Sequence, residues 1–379
     1  MVSRRLGPIG LAMIAVSFVL AAFAANVSAA GFSVTNYGAK CDGATDDTAA
    51  INATIEAAEA ACESDSEHQM HNQSYIELPT ASSCIITSGL TINAACVGLE
   101  SNGATLDASR IPSGSTAITI TTSQATTPFG ENTPPWNGVH LIGPGSGTNS
   151  IGLYVEAGAV MFSKPNISNF GVGVEFGNNS FLDRFESSMI WDCGTGIIFP
   201  SGLSNAGENL TFQGGSIFGS TTGVQNSGGA EINLEEVSFD GLSGAALLDQ
   251  RGIIRAHNLH IEYYGPISVS PVEVEGGCNA WTFIQVSGGI IQNNSGNTTN
   301  VRSTVDIEPS GVCGGSGPWV SIEDAFLAGL NPSAACVRGS GATCVTGTTP
   351  STDAGPAQVV FTTTTSGAGG GTFGNANLQ

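Results

Sequence analysis

The sequence predicts an all-β solenoid of stacked coils, covered at its N-terminal end by one short α-helix. Three observations carry this. Of 379 residues, 52 are glycine and only 11% are charged, with Ser, Thr, Asn, Ile and Val abundant, the composition of a turn-rich β-protein. A Gly-apolar step recurs at Gly173-Val174, Gly196-Ile197, Gly223-Val224 and Gly244-Ala245, with spacings of 23, 27 and 21 residues, the period of a solenoid coil rather than of a hairpin. Only the stretch from about Thr48 to Ala61 has helical patterning, with Ile51, Ile55, Ala58 and Cys62 on one face after Asp46 or Asp47 as N-cap.

In chain order, Arg4 and Arg5, the apolar run Leu11 to Ala25 and the small residues Val27-Ser28-Ala29 predict a signal peptide over residues 1–30 and export to the periplasm or the extracellular space. No later run is long and apolar enough to span a membrane. Residues 31–345 are expected to form a single domain, since a solenoid escapes the usual size limit by packing each coil only on its neighbours. Asp42, Asp46 and Asp47 read as turn and cap residues, because their spacing lacks the alternating oxygen ligands of an EF-hand loop. The helix after them would cover strand edges that a bare solenoid end leaves unpaired. Residues 113–133 and 293–303 read as loops, and the Thr/Gly-rich tail 346–379 as a last coil or a disordered segment.

The formal charge is −21, and Lys40 and Lys164 are the only lysines. This excludes nucleic acid, whose binding needs clustered cations. A neutral glycan fits such a chain more easily than a polyanion, unless bound cations bridge the latter. Nine cysteines in an exported chain predict disulfides with one thiol left over. Spacing pairs Cys336 with Cys344 and Cys278 with Cys313, and leaves Cys41, Cys62, Cys84 and Cys96 to staple the N-terminal region. Cys193, inside the apolar "MIWDCGTGII", is expected to be the unpaired, buried and inert one.

"FSVTNYGAKCDGATDDTAAINATIEAA" (Phe32 to Ala58) followed by "YIELPTASSCIITSGLTI" (Tyr75 to Ile92) closely resembles the N-terminal signature of the pectate-lyase-like superfamily. That superfamily includes polygalacturonase-like and rhamnogalacturonase/epimerase-like proteins and phage tailspike-like domains. The resemblance implies a right-handed parallel β-helix that cleaves, epimerises or binds polysaccharide. It transfers no catalytic residue, because the Asn-Thr-Asp, Asp-Asp, Gly-His-Gly and Arg-Ile-Lys motifs of the polygalacturonase type are missing after residue 60. The basic residues by which calcium-dependent pectate lyases hold acidic sugars are also scarce.

Candidate site residues therefore come from the repeated turns. Aligning "NISNFGVGV", "MIWDCGTGI", "SIFGSTTGV", "VSFDGLSGA" and "LHIEYYGPI" stacks Asn169, Asp192, Gly219, Asp240 and Glu262 in one column. Neighbouring coils lie about 4.8 Å apart, so Asp240 and Glu262 would be adjacent, with Asp192 two coils away. "NLEEVSFD" over "RAHNLHIE" pairs Asn233 with Arg255, Glu235 with His257 and Ser238 with His260, and turns Ser238, Asp240, His260 and Glu262 to one side. Asp240, Glu262, Asp192 and His260 are the catalytic candidates, for paired carboxylates cleave glycosidic bonds and a histidine moves protons. Arg255, Tyr263, Tyr264 and Trp191 are the substrate-binding candidates, since aromatic rings pack on sugar faces. Arg255 would steer a substrate carboxylate or bridge Glu235 or Glu236. Asp183, Arg184 and Glu186 form a second acidic group, read as an internal salt bridge. These residues point first to a glycoside hydrolase, for which no cofactor is assigned; the alternatives are a lyase acting by β-elimination with Ca²⁺ held by the acidic ladder, and a non-catalytic carbohydrate-binding adhesin.

Overall fold

The computed structural model of the chain describes residues 30–63, 74–121, 136–264, 270–276, 282–294, 303–309, 319–328, 331–337, 358–362, 365–366 and 376–378. These residues form the expected right-handed parallel β-helix, in which all strands but Ala376–Leu378 pair in parallel from one coil to the next. Each coil has three faces. The strand Arg184–Trp191 crosses the first and second faces, which belong to one continuous sheet, and bends at Ser187 (φ 53°). Thr195–Phe199 then lies on the third face, a separate ten-stranded sheet.

The bend between the first two faces is one turn reused. Gly138, Lys164, Ser187, Gly214, Glu236, Asn258, Gly288 and Asp324 follow one another in register, all with left-handed φ between 52° and 70°. That conformation is uncommon outside glycine and asparagine. It holds at Lys164, Ser187, Glu236 and Asp324 because paired strands on both sides fix it.

The core is built of inward columns. On the first face, Trp136, Phe162, Phe185 and Phe212 stack with ring centroids 5.5, 4.4 and 4.7 Å apart. On the second, Leu141, Ile167, Ile190, Ile217, Phe239 and Ile261 are in register and buried. Each such side chain contributes roughly 1.5–3 kcal/mol by burial.

The Gly-apolar step has a steric cause. A Cβ on Gly152, Gly173, Gly196 or Gly223 would lie 2.5–2.7 Å from a carbonyl oxygen of the next coil. The fourth step read from the sequence is displaced, since Val224 pairs with Leu247 and Ala246, not Gly244, therefore follows Gly223 in the column. Gly244 instead lies in the preceding turn, against Thr221.

At the N-terminal end the helix α1 spans Thr48–Glu63 and buries Ile51, Ile55 and Ala58 against the first coils. The aspartates before it are scaffolding, as expected. Asp47 is buried and accepts the amides of Lys40 (2.7 Å) and Cys41 (3.0 Å), Asp46 accepts the Thr48 amide and the Thr87 hydroxyl, and Asp42 the amides of Ala44 and Thr45. A disulfide joins Cys41 to Cys84, Cys96 is disulfide-bonded too, and Cys193 is free and buried. Burial pushes the Cys193 thiol up to about 11. Cys278, Cys313 and Cys344, like the predicted signal peptide apart from Ala30, lie outside the described residues, so the pairings expected for those cysteines do too. Among the described residues no helix is long and apolar enough to cross a membrane. In the tail, Gln358–Thr362 pairs in parallel with Trp319–Glu323 and antiparallel with Ala376–Leu378.

Two more of the described acids, besides Asp47, are buried. Asp249 occupies an inward column on the third face between Asn226 and Val274, and neither of its carboxyl oxygens has a hydrogen-bond partner. Burial pushes it up to about 8, offset in part by the nearby amides of Arg251 and Phe283. Asp183 is fully buried and raised well above the carboxylate range by burial, although its Oδ1 accepts the Val160 amide at 2.9 Å.

Two outcomes follow from the packing and from these acids. Gly196→Ala is expected to destabilise the protein by about 1–3 kcal/mol, read as a lowered denaturation midpoint, because the methyl meets both the Gly223 carbonyl and Ile217. Both buried acids hold their protons in the folded chain at pH values where the unfolded chain has lost them. Their stabilising contribution is therefore complete below about pH 4 and is lost as pH rises towards about 8. Thermal unfolding is expected at a lower temperature at about pH 8 than at about pH 5, and Asp249→Asn should shrink that difference.

Candidate active site

The site lies on the outer side of the second face. Strand pairing sets Asn166, Met189, Ser216, Ser238 and His260 in one outward column and Ser168, Trp191, Phe218, Asp240 and Glu262 in the next. His260 and Glu262 are two residues apart on Gly252–Tyr263, and Asp240 ends the strand Ser238–Asp240 one coil earlier. Strand alternation turns all three outward while Phe239 and Ile261 go to the core. The register Ser238–His260 and Asp240–Glu262 is the one read from the sequence, as are Asn233–Arg255 and Glu235–His257.

One ligand atom from each of Asp240, His260 and Glu262 lies within 4.8 Å of the other two. His260 Nε2 is 3.1 Å from Glu262 Oε2 and 3.8 Å from Asp240 Oδ1. Asp240 Oδ2 accepts the hydroxyls of Ser238 (2.7 Å) and Ser216 (3.2 Å). Glu262 Oε1 accepts the amide of Asn294, and Tyr264 donates its hydroxyl to the same carboxylate. The hydrogen bond from His260, followed by those from Tyr264 and Asn294, holds the Glu262 carboxyl below its ordinary range. The bond to Glu262 raises the Tyr264 phenol in turn. His260 is 42% exposed, Asp240 28% and Glu262 14%, so the group is open to solvent yet held.

The other candidates are placed differently. Asp192 does not stand in the column of Asp240. It belongs to the next position, where Asn169, Asp192, Gly219 and Gly241 share left-handed φ of 59°, 51°, 63° and 61°, and each amide bonds to the residue preceding its neighbour in that series. The sequence alignment set Gly219 against Asp240 and so slipped by one residue; Gly241 fills that slot. Tyr263 is not at the surface beside Tyr264 but 1% exposed, with its hydroxyl donating to the Gly244 carbonyl at 3.0 Å and its phenol raised by burial. Tyr264 is 60% exposed and lies over Gly241, where a Cβ would meet its ring at 3.3 Å. Trp191 is stacked on Phe218, centroids 5.7 Å apart and planes 2° apart, and donates Nε1–H to Asn166 at 2.9 Å.

Arg255 stands on the first face, across the bend, and faces Glu231 at 3.9 Å rather than Glu235 or Glu236. Arg184 pairs with Glu186 at 2.9 Å, as the salt-bridge reading expected, whereas Asp183 is buried away from both. Ser216, Phe218 and Asn294 were missed. The first two follow once the register is right, and Asn294 falls in a stretch read as a loop.

A calcium ion takes six to eight oxygen ligands. The cluster offers two carboxylates and an imidazole, which is not that donor set, so no step is derived through calcium. Cys41, Asp47 and Cys84 are also close together, but the disulfide consumes both thiols.

No protein-family profile and no curated protein matches the chain. Among solved structures it is similar to Geobacillus virus E2 ORF18, at 13% identity and a TM-score of 0.60, over 96% of this chain and 66% of that one, so it spans just under two thirds of that protein's length. It is also similar to PfbA, a surface adhesin of Streptococcus pneumoniae (12% identity, 89% and 90% of the chains, TM-score 0.43). A third is the A-module of the Azotobacter vinelandii mannuronan C-5 epimerase AlgE6 (16% identity, 88% and 94%, TM-score 0.40). At these identities the first likeness is one of fold.

His260→Ala removes the largest of the bonds that lower Glu262. Its carboxyl titration, followed by carbon NMR, is expected to move up towards the ordinary glutamate range.

Proposed function

We propose that this chain is an exported, single-domain, polysaccharide-active enzyme that hydrolyses glycosidic bonds at Asp240, His260 and Glu262. The observation that carries the reading is the convergence of two carboxylates and an imidazole within 4.8 Å on an outward, solvent-open face. Glycoside hydrolysis needs one group that gives a proton to the departing oxygen and one carboxylate that attacks or shields the anomeric carbon. Glu262, held ionised by His260, Tyr264 and Asn294, takes the second part. Asp240 and His260, 3.8 Å apart, take the proton transfer. The close spacing of the carboxylates fits a retaining enzyme (about 5–5.5 Å) better than an inverting one, which leaves room for water between groups about 6.5–9.5 Å apart.

Tyr264, exposed and bonded to Glu262, is placed to contact the sugar, and the Trp191–Phe218 pair extends the same column away from the reacting groups. A chain of net charge −21 that sets two of its carboxylates at this point suits a neutral glycan.

The test is incubation of the purified protein with neutral and uronic-acid polysaccharides, with and without chelator, following reducing ends and the ultraviolet absorbance of unsaturated products together. Reducing ends without absorbance are expected, and Asp240→Asn and Glu262→Gln should each lower the rate by at least about a hundredfold with the fold intact. Absorbance from a uronic-acid substrate would replace the reading by a lyase. Binding with neither signal would replace it by a carbohydrate-binding protein.

A further inference from the structure

The first face carries a feature that the Asp240 cluster does not use. One outward column there reads Arg184, Thr211, Asn233, Arg255, Gln285. The column beside it reads Glu186, Gln213, Glu235, His257, Ser287. Over five coils every position is polar, and apart from Arg184 and Arg255, both turned towards glutamates, none offers the tryptophan, tyrosine or arginine anchors that dominate protein interfaces. Around Arg255 and His257 the strip sinks into a shallow, open depression, walled by Glu235, Gln285 and Ser287.

We propose that this strip is a docking surface for a neutral polysaccharide strand lying along the solenoid axis. The strip holds two arginines and two glutamates, with Glu231 just beside it: Arg184 faces Glu186 at 2.9 Å, Arg255 faces Glu231 at 3.9 Å, and the His257 imidazole lies 3.6 Å from Glu235. The strip is thus a locally balanced zone on a chain of net charge −21, without the excess positive charge that a polyanion requires. Guanidinium, carboxamide, imidazole and hydroxyl groups offer donors and acceptors side by side, the chemistry that sugar hydroxyls pair with. The columns repeat every coil, about 4.8 Å, close to the advance of one pyranose ring in an extended glycan. Successive sugars therefore meet successive copies of the same pair of columns. The strip shares with the hydrolase reading only the class of ligand, and binding there does not depend on cleavage.

The test is affinity electrophoresis of the full chain carrying Glu262→Gln, so that cleavage does not erode the matrix. The gels contain hydroxyethylcellulose, galactomannan, laminarin or polygalacturonate. Retardation by at least one neutral glycan and not by polygalacturonate is expected. Adding Arg255→Ala with Gln285→Ala should weaken that retardation about tenfold, and Gln213→Ala with Asn233→Ala supplies an independent pair on neighbouring coils, each checked for native circular dichroism. No retardation by any neutral glycan, retardation by polygalacturonate alone, or undiminished affinity in both double variants would overturn the proposal. Reducing ends from the wild-type protein without retardation would sink the strip and keep the hydrolase. Retardation without reducing ends would do the reverse.

Discussion

Everything in this molecule depends on the register of parallel coils. The strand amides pair with a neighbour one coil away, so a residue's place is set by the column it joins rather than by its own strand. The stacked Phe162, Phe185 and Phe212, the glycines at 152, 173, 196 and 223, and the left-handed bend from Gly138 to Asp324 express the same constraint. A column tolerates whatever fits the slot. Lys164, Ser187 and Glu236, without the tolerance of left-handed φ that glycine, asparagine and aspartate have, occupy the bend, because slipping one residue out would break the pairing of a whole coil.

The same constraint assembles the candidate site. Asp240 and Glu262 are far apart along the chain and become neighbours only because Asp240 pairs with Glu262 across one coil step. His260, two residues before Glu262, then comes within reach of both carboxylates without any loop having to be ordered. A site on such a lattice is rigid in position, and its freedom is confined to side-chain rotation. The cost appears elsewhere: Asp249, set in an inward column between Asn226 and Val274, keeps its carboxyl dry and unpaired.

Much of this was legible in the sequence, and what was not has identifiable causes. The pairing of Asn233 with Arg255 and of Ser238 with His260 could be read directly, because the matched segments have equal length and no insertion within them. The one-residue slip at Asp192 arose because an aspartate, an asparagine and glycines all suit a left-handed turn, so residue identity did not distinguish the turn slot from the strand position before it. Tyr263 misled for another reason. "EYYGP" ends the regular strand, and alternation alone decides which tyrosine goes inward, where the Gly244 carbonyl takes its hydroxyl. The Gly244 step was displaced because a turn glycine mimics a strand glycine in sequence: a Cβ at Gly244 would meet the Thr221 carbonyl much as one at Gly223 would meet that of Ala246.

The ionisation of the fold and that of the site constrain each other. The core favours protons on Asp183 and Asp249, the latter raised to about 8, while the site holds Glu262 below its ordinary value through His260, Tyr264 and Asn294. The opposite shifts have opposite causes, burial that outweighs the few nearby amides in one case and hydrogen bonds to the charged form in the other. They leave a window, above the Glu262 value and below that of Asp249, in which the core acids are neutral and the site carboxylate is charged. Mildly acidic medium satisfies both at once. It also lessens the mutual repulsion of a chain whose net charge is −21, since protonating its surface carboxylates reduces that charge while Glu262 keeps its own. The acidity of the sequence is thus not only a statement about partners: it moves the conditions under which this lattice is most stable towards those in which the Glu262 carboxylate of the candidate site is still ionised.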